Sequence, residues 1–109
     1  KIMNIQKMMK EAQKMQERLA QAQTDLASQE LEVSSGGGKV TVTANGSGEI
    51  TAVKISKDVV DPEDVEMLED LVLSGVREAL EAARKLQADT MGKVTGGLGG
   101  LGGLPGLGL

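Results

Sequence analysis

The 109-residue chain contains no cysteine, histidine, tryptophan, tyrosine or phenylalanine. Each absence removes a class of chemistry. Without cysteine there is no disulfide, no thiolate nucleophile and no sulfur ligand for zinc. Without histidine, the commonest general base and the commonest transition-metal ligand are missing. Asp, Glu, Lys, Ser and Thr remain as possible catalysts, and the composition is that of a chain that binds rather than one that catalyses; no enzyme activity and no cofactor are expected. Aromatic rings normally bury the most area per side chain. Here the core must come from Val, Ile, Leu, Met and Ala, in a chain already marginal in its ratio of surface to volume. Burial against a second copy would repair that deficit, so self-association is expected before any motif is considered.

Long apolar runs are lacking as well. Residues 1–30 are rich in Gln and Lys and hold no hydrophobic stretch of the kind a secretion signal needs. Nothing approaches the ~18–20 apolar residues of a membrane-spanning helix. The expectation is a cytoplasmic protein with neither a membrane nor a small-molecule substrate among its partners. The chain begins Lys1-Ile2, so either Met3 is the start or residues upstream are missing.

What the chain does have is charge, unevenly placed. The formal net charge is −4. Residues 1–24 carry Lys1, Lys7, Lys10, Lys14 and Arg18 against Glu11 and Glu17, a net of +3. Residues 58–81 carry nine acids against Arg77, a net of −8. Fields act locally, so this asymmetry says more about partners than the total does. The acidic total by itself argues against nucleic acid without excluding it.

Residues 3–30 are expected to form one long helix. Ile5, Met8, Ala12, Met15, Leu19, Ala22 and Leu26 alternate spacings of three and four, an unbroken apolar stripe between Gln, Lys, Glu and Ala. The stripe is expected to pack against the second helix or a twin subunit. From Leu31 the period changes to two. Leu31–Ser34 suggest a short strand, and Val40, Val42 and Ala44 alternate with polar residues as a half-buried strand. Asn45-Gly46-Ser47-Gly48 reads as a turn, and residues 49–56 as the return strand, with Thr51, Val53 and Ile55 on one face. A second helix is expected to start at Asp61, with Asp61 as its N-cap and Pro62 in its first position. Gly75 interrupts that helix and would be tolerated if another backbone packs closely there. Residues 96–109 repeat Gly and Leu, and are expected to be a disordered tail outside the folded domain of residues 1–95.

Several motifs dissolve on inspection. Gly36-Gly37-Gly38-Lys39 is not a phosphate-binding loop, because Val33 stands where that pattern needs Gly and Val40 where it needs Ser or Thr. Gly97, Gly99 and Gly102 match a dinucleotide fingerprint only through the repetitiveness of the tail. The acids from Asp58 to Asp70 open a helix, where acids complement the dipole, and lack the spacing of a calcium loop. One feature remains. Lys7, Lys10, Lys14 and Arg18 are spaced by three, four and four, so they share a helix face distinct from the apolar stripe. Such a ridge could follow a phosphate backbone. On spacing alone it is better explained as a solvated surface, with Glu11 close to Lys7 and Lys10. A weaker basic group is formed by Arg84, Lys85 and Lys93, with Glu81 four residues from both Arg77 and Lys85.

A longer pattern adds what spacing does not supply. Residues 8–17 (MMKEAQKMQE), Gly36–Val42 leading into Asn45-Gly46, Val53-Lys54-Ile55, Asp61-Pro62-Glu63-Asp64 and Met67-Leu68-Glu69-Asp70-Leu71 together resemble the YbaB/EbfC family of bacterial nucleoid-associated proteins. The resemblance implies an α+β fold, α-β-β-β-α, with a small antiparallel sheet and two long helices, joined through its sheets into a tweezer-like homodimer. It implies binding to duplex DNA with little sequence preference, in the nucleoid, with a role in organising the nucleoid, influencing gene expression or supporting DNA repair. It raises Lys7, Lys10, Lys14 and Arg18, with Arg84 and Lys85 beside them, to the leading DNA-binding candidates, while the acidic start of the second helix should point away from the duplex. The alternative is a protein–protein adaptor whose apolar stripe recruits a partner helix.

Overall fold

The computed structural model of the chain describes residues 4–96. Along them run α1 (Ile5–Ser28), β1 (Glu30–Ser35), β2 (Val40–Asn45), β3 (Ile50–Ile55), a 3-10 turn (Lys57–Val59) and α2 (Val65–Gly96). This is the expected α-β-β-β-α order. The Gly/Leu tail beyond Gly96 lies outside the described residues.

Asn4 opens α1: its side-chain oxygen accepts from the Lys7 backbone N–H at 3.1 Å, satisfying one of the donors a helix start leaves orphaned. The strands follow as a meander in the order β1-β2-β3, all antiparallel. Val40, Val42 and Ala44 of the central strand are fully buried, and the cross-strand register puts Val33 and Val53 beside Val42, and Ile55 beside Val40. This apolar face takes α2, and Thr41 and Thr43 point to the other side. A bulge at Thr43/Ala44 changes one expectation. Thr51 drops out of the pairing and Ile50 lies opposite Ala44, so Ile50, not Thr51, completes the apolar row of β3.

Gly75 shows how close α2 comes to the sheet. A Cβ built there would lie 2.7 Å from Val42 Cγ2 and 3.5 Å from Ser35 Oγ. Sheet side chains, rather than another backbone, make glycine necessary. Ser35 fixes the same approach by donating to the Leu71 carbonyl at 2.7 Å. The Asn45–Gly48 turn ties the helices to the sheet. Gly46 N–H donates to the Gln29 carbonyl at 3.0 Å, and the Gly46 carbonyl accepts from Gln87 Nε2 at 2.8 Å. A side chain at Gly46 would stand 2.5 Å from the Leu26 carbonyl oxygen.

The start of α2 differs from expectation. Asp61 does not cap it. The Asp61 carboxylate accepts from Glu63 N–H at 2.9 Å and its carbonyl from Asp64 N–H at 2.9 Å, which closes a separate turn with Pro62 inside it. Asp64 then caps the helix, accepting from Met67 N–H at 3.2 Å. Two acids within one turn of each other could both cap, and the turn chemistry of Asp61-Pro62 decides which does. The 3-10 turn before it, unmarked in the sequence, buries Val59.

Candidate nucleic-acid interface

The two halves of α1 have different fates. Ala22 and Leu26 are buried, at 6 % and 4 % exposure, against the turn and α2. Met15 and Leu19 are half-buried. Ile5 and Met8, on the same stripe, are 68 % and 50 % exposed, and Ala12 is exposed too. The expected packing therefore holds within the chain only for the second half of the helix. Arg18 and Ala22 line a groove with Thr90 and Val94, while Gln23 and Leu26 line one with Gln87 and Met91. The helices thus run antiparallel, and the first half of α1 lies toward the C-terminal end of α2.

That first half carries the cations. Lys7, Lys10, Lys14 and Arg18 are all exposed. The ion pairs among the described residues are Lys39–Asp58 at 2.6 Å and Arg84–Glu81 at 2.9 Å, so Glu11 neutralises neither Lys7 nor Lys10 by direct pairing. The first turn of α1 holds no acid. The positive end of the helix dipole therefore adds to the sign of the row. From Lys7 to Arg18 the row is about 16 Å long at 1.5 Å per residue. That is roughly five base-pair rises along one DNA strand.

The row does not stop at Arg18. Gln21 and Asp25 continue it at the same spacing of three and four, and with Arg18 they line a groove of about 420 Å³ whose other wall includes Thr90 and Lys93. Gln21 Nε2 donates to Asp25 Oδ1 at 2.9 Å. Lys93 is exposed at this junction. Sequence spacing grouped Lys93 with Arg84 and Lys85, yet nine residues at ~100° each set Arg84 and Lys93 about half a turn apart. Arg84 is occupied by Glu81, and Lys85 is exposed. Only a tertiary structure could join Arg18 to Lys93.

The acids gather elsewhere. Asp61, Glu63, Asp64 and Glu66 stand at the start of α2, the end remote from the first half of α1. Among the described residues no group of carboxylates converges into a metal-binding set. Lys39, after the three glycines, donates to Asp58, and that hydrogen bond with the lysine's charge holds the Asp58 carboxyl below the usual carboxylate range. Gly36, Gly37 and Gly38 all have positive φ and form the β1–β2 loop. This accounts for the glycine-lysine sequence structurally.

Comparison with known proteins gives the family of the chain. The model of the YbaB/EbfC DNA-binding family matches residues 2–98. The chain belongs to that family. A nucleoid-associated protein of Saccharopolyspora erythraea is 52 % identical over 97 % of this chain and 91 % of its own length. One from Ruminiclostridium cellulolyticum is 52 % identical over 88 % of this chain and 84 % of its own. The crystal structure of an uncharacterized protein from Helicobacter pylori shares the fold, with a TM-score of 0.76 at 20 % identity, covering 86 % of this chain and 99 % of that one. The expected family and the expected α-β-β-β-α fold of the single chain are thereby both borne out. No helix among the described residues is long and apolar enough to cross a membrane.

Proposed function

We propose that this YbaB/EbfC protein is a nucleoid-associated protein of the bacterial cytoplasm that binds duplex DNA as a homodimer, chiefly through phosphate contacts and with little sequence preference. It acts by binding and not by catalysis. The observation that carries this is the unneutralised row Lys7, Lys10, Lys14 and Arg18 on the exposed half of α1, in a chain whose family is defined by DNA binding. Arg84 and Lys85 are secondary candidates, weakened in the case of Arg84 by its pairing with Glu81. Lysines on a helix surface read charge rather than base identity, so low specificity follows. Organisation of the chromosome, with effects on gene expression or DNA repair, is the role such binding would serve.

The sheet supports the dimer. The edge strand β3 is exposed along its whole length, and α2 covers its apolar row only in part. Ile50, Val53 and Ile55 are each 37–41 % exposed. Beside them Ile55, Leu68, Val72, Leu73 and Val76 line an almost wholly apolar groove. An open apolar edge is a site for pairing with another chain, and a subunit whose largest fully buried side chains are two valines gains most from a second copy.

Two measurements test this. Fluorescence anisotropy with duplexes of unrelated sequence should give similar affinities that fall together as salt rises; no binding at low salt would overturn the DNA reading. Analytical ultracentrifugation should show a dimer, and Val53→Glu on the β3 edge should shift it to monomer. The exposed Ile5 and Met8 keep one second reading in play, an adaptor whose stripe docks a partner helix; Met8→Gln with full DNA affinity but loss of a protein partner would favour it.

A further inference from the structure

The groove where α1 meets α2 gathers side chains that no feature of either helix alone predicts. Arg18 enters it as the last cation of the α1 row, and Lys93 enters from α2. Both are exposed, and neither is ion-paired among the described residues. Thr90 and Gln21 add neutral hydrogen-bonding groups to the same walls. Asp25 lines the groove one helical turn beyond Gln21 and accepts from it at 2.9 Å. The charge along the α1 face therefore changes sign inside the groove: Lys7, Lys10, Lys14 and Arg18 come first, then the neutral Gln21, then Asp25.

Resting on the DNA reading given above, we propose that this groove is the inner end of the DNA-backbone track, where Arg18 and Lys93 together hold one phosphodiester group and Asp25 prevents the strand from running further. The chemistry fits a phosphodiester. A guanidinium offers planar paired donors to phosphate oxygens, and an ammonium offers a point charge from the opposite wall. Two cations from different helices fix an anion more firmly than neighbours on one flexible helix face, because packing at Ala22 and Leu26 holds the helices together there. Asp25 places a like charge on the path of the next phosphate, which sets the register of the backbone on the helix without reading a base. The free half of α1 then supplies attraction along its length, and the braced groove supplies position.

The test is fluorescence anisotropy of the full chain with a random-sequence duplex over a salt series. Arg18→Gln with Lys93→Gln leaves that phosphate unneutralised, so the double variant should reduce the slope of log K against log salt by about 0.9 for each groove the DNA occupies, which is about eightfold in affinity at 0.1 M salt. Lys93→Gln alone should weaken binding by a smaller factor. Lys93→Arg should retain binding, and Lys57→Gln, exposed in the 3-10 turn before α2, should leave it unchanged. Asp25→Asn should strengthen binding. Circular dichroism of each variant checks the fold, which exposed positions should preserve. If the parent binds DNA and the double variant matches it in affinity and slope, the groove is not part of the track, although the DNA reading stands. Failure of the parent itself to bind any duplex removes that reading instead. An Asp25→Asn variant that binds more weakly overturns the assigned role of Asp25.

Discussion

The two halves of α1 share one sequence pattern and have opposite surroundings. In the second half the apolar stripe is core: Ala22 and Leu26 meet the Asn45–Gly48 turn and α2, and Gly46 has no room for a side chain beside the Leu26 carbonyl. In the first half the same heptad stripe leaves Ile5 and Met8 in solvent, next to a row of lysines with no ion pair among the described residues. Heptad spacing specifies which residues share a face; it does not specify whether anything covers that face. The sheet end of the molecule carries stability, and the exposed half of α1 carries charge at a distance from it. Residues can thus be changed in one region with little effect on the other.

The sharpest test of that division is a pair of substitutions on one stripe. Leu26→Ala removes a side chain at 4 % exposure and should cost about 2–5 kcal/mol in chemical denaturation. Ile5→Ala, at 68 % exposure, should stay within about 0.5 kcal/mol of the parent. Equal effects would mean that the first half is buried in solution. Next in size, Gly75→Ala should cost about 1–3 kcal/mol by overpacking against Val42, reduced by the roughly 1 kcal/mol that alanine gains in helix propensity. Combining it with Val42→Ala should recover part of the loss, and strict additivity of the two would show that the 2.7 Å approach is not the cause. Smaller again, Gln87→Ala strands the Gly46 carbonyl and should cost about 1 kcal/mol, readable as a lowered urea midpoint.

The smallest effect concerns Asp58. Its carboxyl titrates below its ordinary value in the folded state because Lys39 donates to it and adds its charge. The unfolded chain therefore binds the proton first as pH falls. The contribution is present above the usual carboxylate range and is lost as pH drops through the depressed folded value. Asp58→Asn should be slightly less stable than the parent at pH 7, with the gap closing toward pH 2; a gap that widens in acid would reverse the sign.

Much of the fold was legible in sequence, and the failures have physical causes. Strand positions showed because Val40, Val42 and Ala44 alternate with polar residues, and α1 showed because its period is unbroken. The start of α2 was displaced because Asp61 and Asp64 are both good caps, and only the hydrogen bonds of the Asp61–Asp64 turn separate them. The bulge that substitutes Ile50 for Thr51 leaves no mark in a period-two pattern. Four of the basic candidates, Lys7 to Arg18, do share one exposed face, as helical spacing requires. The pairing of Arg18 with Lys93 across one groove was out of reach, since it depends on how the helices pack.

The measurement that bears most directly on the DNA reading is a salt series of duplex affinity for the triple variant Lys7→Ala, Lys10→Ala and Lys14→Ala. These residues are exposed and make no ion pair among the described residues, so the variant should fold like the parent. It should bind all duplexes more weakly to a similar degree, and its salt slope should be shallower by about 0.9 for each phosphate it no longer neutralises. A folded variant with the parent's affinity and slope would show that the lysine row on the first half of α1 does not hold DNA.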